Sequence, residues 1–147
     1  MTLAVIGAVN QPLQHPPVIK ELENQGFTHF SVLQSPIRLL TCLYGHTYTA
    51  TDSLAQVLSL HKWGTDQDPL FWINHLNKTI KWRMSFAGIY KYVITDIQTP
   101  EELEWFIHNN HNVIHFEGTA LQPTNLTMSL TYPTNITVND LDLHQIL

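Results

Sequence analysis

The sequence predicts an α/β domain in which a parallel β-sheet is flanked by helices. The first observation is a strand, a helix and a second strand within residues 3–33, the pattern of a βαβ unit. The second is the run Tyr92–Ile97, which is apolar at most positions, as in strands covered by helices on both faces. The third is a strong helix start, Thr99–Glu102, directly after that run.

The chain opens with an apolar strand, Leu3–Ile6, that ends at Gly7. A phosphate-binding loop of the form G-x-x-x-x-G-K-[ST] beginning there requires Gly, Lys and Ser or Thr at positions 12 to 14. None of these residues is present, so the segment has the outline of a phosphate loop without the Lys that reaches phosphates or the hydroxyl that holds magnesium. The bland alternative is an ordinary strand and turn. The residues of this degenerate loop are Gly7, Asn10, Gln11, Pro12, Leu13 and Gln14.

The following residues complete the βαβ unit. The two prolines at 16–17 suit a helix start and Gly26 suits a helix end. The β-formers of Phe27–Leu33 predict a second strand, with parallel pairing and a right-handed crossover as the defaults. Residues 35–45 predict a second helix.

The middle of the chain predicts two more helices. Thr51 or Asp52 is expected to cap a helix that ends at Gly64. The run Asp68–Trp82 predicts the next helix, and Ser85–Tyr90 predicts a bend after it.

The last third of the chain alternates strands with a helix. Tyr92–Ile97 predicts the third strand, and Thr99 with Pro100 predicts the start of the following helix. Val113–Phe116 predicts a fourth strand. In the tail, Ile136–Val138 predicts a short strand followed by a helical turn.

Length and composition predict one cytoplasmic domain spanning residues 1–147. A chain of this size buries about 68–70% of its unfolded surface and needs no disulfide or metal to fold. Cys42, the single cysteine, cannot form an intrachain disulfide and is expected to be a small core residue. The first residues do not resemble a signal peptide, and no apolar run approaches the ~20 residues that cross a bilayer, so no membrane partner is expected.

The charge excludes a broad nucleic-acid surface. Lys and Arg total 7 against 12 Asp and Glu, for a formal charge of -5. An acidic and partly aromatic surface suits a basic protein partner. Four cations bunch at Lys78, Lys81, Arg83 and Lys91, either as a solvated face or as a small anion patch.

Three stretches in order resemble the phage deoxynucleoside monophosphate kinases, a family of P-loop kinases. The opening, through GFTHFSVLQSPIRLL, is similar to that family's helix, "GF", strand and "ADPLK". The middle, WGTDQDPLFWINHL, resembles "GTE..R....D.WVN.L", and VITDIQTPEELEWFIHNNHNVIHFE resembles "VI.DVRFPNEA..I...GG.VI.I". The resemblance covers most of the chain and implies a nucleoside-monophosphate-kinase-like sheet whose first and third strands are neighbours.

The departures from that family remove positive charge from the phosphate site. Leu13 and Gln14 stand where the family has Lys and Ser or Thr, and Gln98 stands where a strand-end Arg would be. The Arg of the middle segment has no clear counterpart, and the substrate-covering insertion is nearly absent between Thr47 and Leu54, which implies a reduced lid. Phosphoryl transfer depends on cations that neutralise developing charge, so these losses predict an inactive enzyme.

These observations predict a catalytically inactive, kinase-like phage protein that inhibits or modulates a host or defence-system protein by binding it. One alternative is an active deoxynucleoside monophosphate kinase, and another is a sensor or sponge that binds a nucleotide. No cofactor and no metal are expected. A nucleotide, if bound, would lie in a crevice at Arg38, Asp96 and Gln98.

Three other sets of residues have both a functional and a purely structural interpretation. The tryptophans are expected to be core or rim anchors, or an interface if two or three are exposed together. They are Trp63, Trp72, Trp82 and Trp105. His108, His111 and His115 have spacing similar to a metal set, but a helix end and strand between them favour a solvated turn and one strand histidine. Ser31 and Ser35 have no placed base, although His29 could face Asp96 across neighbouring strands.

Overall fold

The structure is a computed structural model that describes residues 4–9, 12–45, 50–89, 91–117 and 129–141. The described strands form one five-stranded sheet in which every pair of neighbours is parallel, so the fold is α/β. The strands are β1 (Ala4–Val9), β2 (Thr28–Ser31), β3 (Lys91–Thr95), β4 (Asn112–Phe116) and β5 (Ser129–Tyr132). Their order is β2-β3-β1-β4-β5, so the expectation that β1 and β3 are neighbours is confirmed.

Helices cover both faces of the sheet. They are α1 (Pro17–Asn24), α2 (Gln34–Tyr44), α3 (Ala50–Gln67), α4 (Phe71–Ala87) and α5 (Pro100–His108), and a 3-10 turn spans Val138–Asp140. Because side chains alternate along a strand, Val93 points to one face and Tyr92 and Ile94 to the other. Val93 packs with α1 and the 3-10 turn, whereas Tyr92 and Ile94 pack with α4 and α5. None of the described helices is both long enough and apolar enough to cross a membrane.

The start of α5 follows the sequence prediction closely. Thr99 accepts a hydrogen bond from the Glu102 N–H, and the Glu102 carboxylate accepts one from the Thr99 N–H at 3.1 Å, which completes a capping box. The second carboxylate oxygen of Glu102 lies 2.9 Å from Nε2 of His61 on α3, in a fully buried contact. The local cap therefore also joins α5 to α3.

Several predicted boundaries are wrong. The first strand runs on to Val9, and Gly7 lies inside it, paired with Ile94 and Val113, because its neighbours on both sides continue the ladder. Thr51 and Asp52 lie within α3 and do not cap it.

Gly64 does not end α3. The helix continues to Gln67, and Gly64 is buried against α4: a Cβ there would lie 2.4 Å from Trp72 Nε1. Glycine is present because the two helices approach too closely for any side chain, and not because a turn needs it.

The end of the chain and two local details also differ from prediction. Helix α4 extends through Ser85 to Ala87 because Gly88, in a left-handed conformation, caps it there. The tail strand is Ser129–Tyr132, not Ile136–Val138, and the helical turn predicted after Leu141 lies outside the described residues. Cys42 is exposed on α2, so its expected burial in the core is wrong.

Candidate functional site

The carboxyl edge of the sheet offers one position where a crevice is expected. The chain leaves β1 through α1 toward β2, and leaves β3 through α5 toward β4, and these two helices lie on opposite faces of the sheet. Such a reversal between adjacent strands opens a crevice at their carboxyl ends, where open α/β sheets bind ligands. Residues 12–15 and Asp96 lie at this point.

A single buried carboxylate, that of Asp96, organises the crevice. Asp96 follows β3 directly and is fully buried. One of its oxygens accepts the N–H of Leu13 at 2.6 Å, and the other accepts the hydroxyl of Ser31 at 2.5 Å and lies 3.1 Å from Nε2 of His15. Donors from the loop after β1 and from the end of β2 therefore converge on one side chain.

The backbone at two of these residues is in an unusual conformation. Leu13 has φ of 57° and Asp96 has φ of 64°, both in the left-handed region. Aspartate tolerates that region. For a leucine the left-handed conformation costs about 1–2 kcal/mol. The contact between Leu13 and Asp96 therefore holds the loop in a conformation that Leu13 would not adopt alone.

Hydrogen bonds keep Asp96 ionised. Burial by itself would raise the pKa of Asp96, but the bonds from His15, Ser31 and the Leu13 N–H outweigh it, so the pKa lies below its ordinary value of 3.8. The site therefore holds a fixed negative charge, the opposite of what a phosphate group requires.

A second polar pair lies beside the carboxylate. Nε2 of His29 lies 2.6 Å from the hydroxyl of Thr95, and the rings of His29 and His15 meet edge to face with centroids 4.8 Å apart. Burial, reinforced by repulsion from His15, lowers the pKa of His29. His29 thus bonds Thr95 and not the Asp96 carboxylate that the sequence suggested it could face.

Sequence reasoning missed His15 and Thr95 as members of this cluster. The one signal available was that Thr95 and Asp96 end an otherwise apolar run, since polar residues at the carboxyl ends of parallel strands share one edge of the sheet. His15 lies 81 residues from Asp96 along the chain, and no local pattern marks it.

The described residues of the degenerate phosphate loop differ in conformation from a phosphate cradle. Gly7 lies within β1, Pro12 and Leu13 form a turn, and α1 begins only at Pro17. The Leu13 N–H, which in a phosphate loop would point at a ligand, is bonded to Asp96. Gln14 is exposed, and Asn10 and Gln11 lie outside the described residues.

The other two crevice candidates lie apart from each other. Gln98 donates its side-chain amide to the backbone carbonyl of Asp96 at 2.8 Å, so it belongs to the crevice as a brace for the backbone. Arg38 is exposed on α2 and lines a groove with Lys78 and Trp82 of α4. None of the Asp96 contacts involves Arg38.

The four tryptophans separate into buried and exposed positions. Trp72 is 3% exposed, and its indole donates to the carbonyl of His61 at 2.9 Å, so it belongs to the core and not to a surface. Trp105 lies on α5 and is half-buried, with its ring against those of Phe106 and His111. Trp63 and Trp82 are 52% and 61% exposed.

Neither a metal site nor an activated nucleophile is present in the part of the chain that the structure describes. No group of three or more His, Cys, Asp or Glu side chains there could hold a metal ion. His111 packs among Tyr92, Trp105 and Phe106, while His115 lies buried on β4. The Ser31 hydroxyl donates a hydrogen bond to Asp96, so its partner is a carboxylate with a lowered pKa and not a histidine base.

Among the described residues, the groups that contact the Asp96 carboxylate include no Lys or Arg that could bind a phosphate. Comparison of the chain with models of protein families, with curated proteins and with solved structures found no match.

Proposed function

We propose that this chain is a catalytically inactive relative of the phage deoxynucleoside monophosphate kinases, which acts by binding a host or defence-system protein and inhibiting or modulating it. The P-loop kinase-like fold is part of the proposal. It is supported by the parallel order β2-β3-β1-β4-β5, in which β1 and β3 are neighbours as the resemblance requires.

The observation that carries the proposal is that Asp96 already binds the described donors that lie at the crevice. In a nucleotide kinase, backbone N–H groups and a Lys of the loop bind phosphate oxygens, and an aspartate at the end of a strand helps to hold the magnesium ion. Here the Leu13 N–H, the Ser31 hydroxyl and His15 all contact Asp96 itself. A phosphate entering the crevice would meet a buried negative charge and would have to displace these bonds without a Lys to compensate.

The rate acceleration that cationic side chains normally supply is too large for this chain to lose and still turn over substrate at a useful rate. One arginine that stabilises the transferring phosphoryl group is worth on the order of 10³ to 10⁵ in rate in GTPases. This chain has Leu13 and Gln14 in place of the Lys and hydroxyl, and Gln98 in place of an Arg. A protein with this crevice is left with binding as its function, and its exposed aromatic side chains, Trp63, Trp82 and Phe86, provide surface for it.

The test is an assay of phosphate transfer from ATP, with magnesium, to each of the four deoxynucleoside monophosphates, run beside a known nucleotide kinase. We expect no product above the rate without protein. Turnover at even a modest rate would overturn the inactive assignment and favour an active kinase.

Thermal shift with mono-, di-, tri- and cyclic nucleotides separates a protein binder from a nucleotide sensor or sponge. A ligand at 100 times its dissociation constant stabilises the folded state by about 2.7 kcal/mol. That corresponds to a rise of roughly 8 °C in Tm for a chain of this size, and we expect none. A saturable shift with one nucleotide would assign the sensor or sponge function instead.

A further inference from the structure

A groove between α2 and α4 combines positive charge with exposed aromatic surface. It is an open groove of about 450 Å³. Its lining residues are Arg38, Lys78, Thr79, Trp82 and Arg83. It is lined from helices, which fix the spacing of its side chains, and none of the residues that contact Asp96 lines it.

The groove concentrates the positive charge of an acidic protein. Helices α2 and α4 carry four of the 7 Lys and Arg residues and none of the 12 Asp and Glu residues. The remainder of the chain therefore holds three cations against 12 acids, a formal charge of -9. Within the described residues, the one ion pair made by a Lys or Arg is Lys62–Asp66 on α3. Arg83 lies over the Phe30 ring, 5.5 Å from its centroid, and Arg38, Lys78 and Lys81 make no ion pair with another described side chain.

Apolar surface lies along the same side of α4. Trp82 and Phe86 are one helical turn apart, with ring centroids at 5.3 Å, and are 61% and 75% exposed. Leu39 and Leu43 are exposed on the facing helix α2. Exposed aromatic side chains and Arg are enriched at protein interfaces, and Trp82 and Arg38 both line this groove.

We propose that this groove is the docking site for an acidic protein segment that places an apolar side chain against Trp82 and carboxylates beside Lys78 and Arg38. The inference rests on the proposed function and adds the chemistry of the partner. It replaces the basic partner expected from net charge, because Trp82 and Phe86 lie on α4, whose Lys and Arg residues are accompanied by no Asp or Glu.

The charge distribution favours a short acidic segment over a single-stranded nucleic acid. A polyanion longer than the groove would extend beyond α2 and α4, and the rest of the chain carries an excess of acids over cations, which opposes it. A peptide segment brings a few carboxylates into the groove and need not carry charge beyond it. Local complementarity of this kind increases both association rate and specificity.

The experiment uses a library of immobilised dodecapeptides that vary in the number of Asp and Glu residues and in one central apolar residue. The wild-type chain and three variants are applied to it: Lys78→Glu, Trp82→Ala and Lys20→Glu. Lys20 is exposed on α1, on the opposite face of the sheet, so Lys20→Glu is the matched control with the same change in net charge. The best acidic peptide and its Asn and Gln isostere are then titrated by fluorescence anisotropy, together with a dodecamer of thymidylate.

We expect saturable binding that increases with acid number and requires the apolar residue. Lys78→Glu and Trp82→Ala should each weaken it by about tenfold, or 1.4 kcal/mol, while Lys20→Glu leaves it unchanged. Binding should also weaken between about 0.05 M and 0.3 M salt. All three side chains are exposed, so thermal unfolding of the variants should match wild type.

The inference fails if no acidic peptide binds, if the amide isostere binds equally well, or if the groove variants bind like wild type. Tighter binding of the thymidylate dodecamer would assign the groove to nucleic acid. Self-association in sedimentation velocity that is lost in the same variants would assign it to a second copy. Phosphate transfer in the kinase assay would instead remove the proposed function, whatever the peptides do, so the two failures are distinguishable.

Discussion

Replacing Asp96 by Asn tests whether its carboxylate is the ionised centre of the hydrogen bonds at the crevice. Asn has the same size and also tolerates the positive φ of 64°, so the substitution changes charge and hydrogen bonding with little added backbone strain. One oxygen can still accept the Leu13 N–H. The other becomes an amide donor that faces the Ser31 hydroxyl and His15, both of which must then reorient.

The magnitude follows from the bonds that change. Hydrogen bonds to a charged group contribute about 1.5–3 kcal/mol each, against about 1 kcal/mol for neutral ones, and the contributions are not additive. Asp96 is fully buried and accepts from Leu13 and Ser31 at 2.6 and 2.5 Å, while His15 is partly exposed and can bond water instead. We expect Asp96→Asn to lower the free energy of unfolding by about 1–3 kcal/mol at pH 7.

The pH dependence gives a second, independent readout. The folded-state pKa of Asp96 lies below the unfolded value of 3.8, so its contribution is complete above 3.8 and is lost as pH falls through the folded pKa. The difference in the free energy of unfolding between wild type and Asp96→Asn should therefore become smaller as the pH falls below 3.8. A buried carboxylate without hydrogen-bond donors would have a raised pKa, and the difference in the free energy of unfolding would then not shrink in this way.

Urea unfolding followed by tryptophan fluorescence measures both effects, with buried Trp72 as a reporter of the core. Asp66→Asn is the control: its carboxylate makes an exposed pair with Lys62 at 2.8 Å, and its loss should cost less than about 1 kcal/mol. Equal stability of Asp96→Asn and wild type at pH 7, or a gap that does not narrow in acid, would refute the assignment of Asp96 as the ionised centre of the crevice.

Three other perturbations have defined outcomes. Gly64→Ala should cost about 1–3 kcal/mol in urea unfolding, because the new Cβ would lie 2.4 Å from Trp72 Nε1; unchanged stability would mean that α3 and α4 separate at little cost. Glu102→Ala should cost about 3–5 kcal/mol and Glu102→Gln clearly less, because Gln retains an acceptor for the start of α5 and a donor for His61; equal losses would contradict this. Burial lowers the pKa of His111 from 6.5, so as the pH falls the unfolded chain is protonated at His111 before the folded chain is. The free energy of unfolding of wild type should therefore decline below pH 6.5. The Tm measured from about pH 7.5 to about pH 5.5 should decline less in His111→Phe than in wild type.

Local signals in the sequence were sufficient for most of the α/β elements. The capping box at Thr99 and Glu102 lies within four residues, and the left-handed Gly45 ends α2, so these boundaries depend on neighbours in the chain. The apolar run that became β3 has no polar face, which identifies an interior strand. The α/β class follows from such elements, because alternating strands and helices favour a parallel sheet.

The candidate site could be predicted only in part. Asp96 was recognised at the end of β3, but its partners lie 65 to 83 residues away, and no spacing rule connects residues at that separation. Which of the tryptophans are exposed also had no local signal, since Trp72 and Trp82 lie on one helix in opposite environments. Whether a side chain on one face of a helix is buried depends on which other element packs against that face.

The sequence by itself determined the existence of most strands and helices and the absence of Lys from the first loop, because propensity, caps and residue identity are local properties. Tertiary structure decided that Gly7 is part of a strand, that Gly64 is a contact between helices, and that the Leu13 N–H binds Asp96. These outcomes depend on the distances between segments far apart in the chain. Packing sets those distances, and the order of residues along the chain does not specify them.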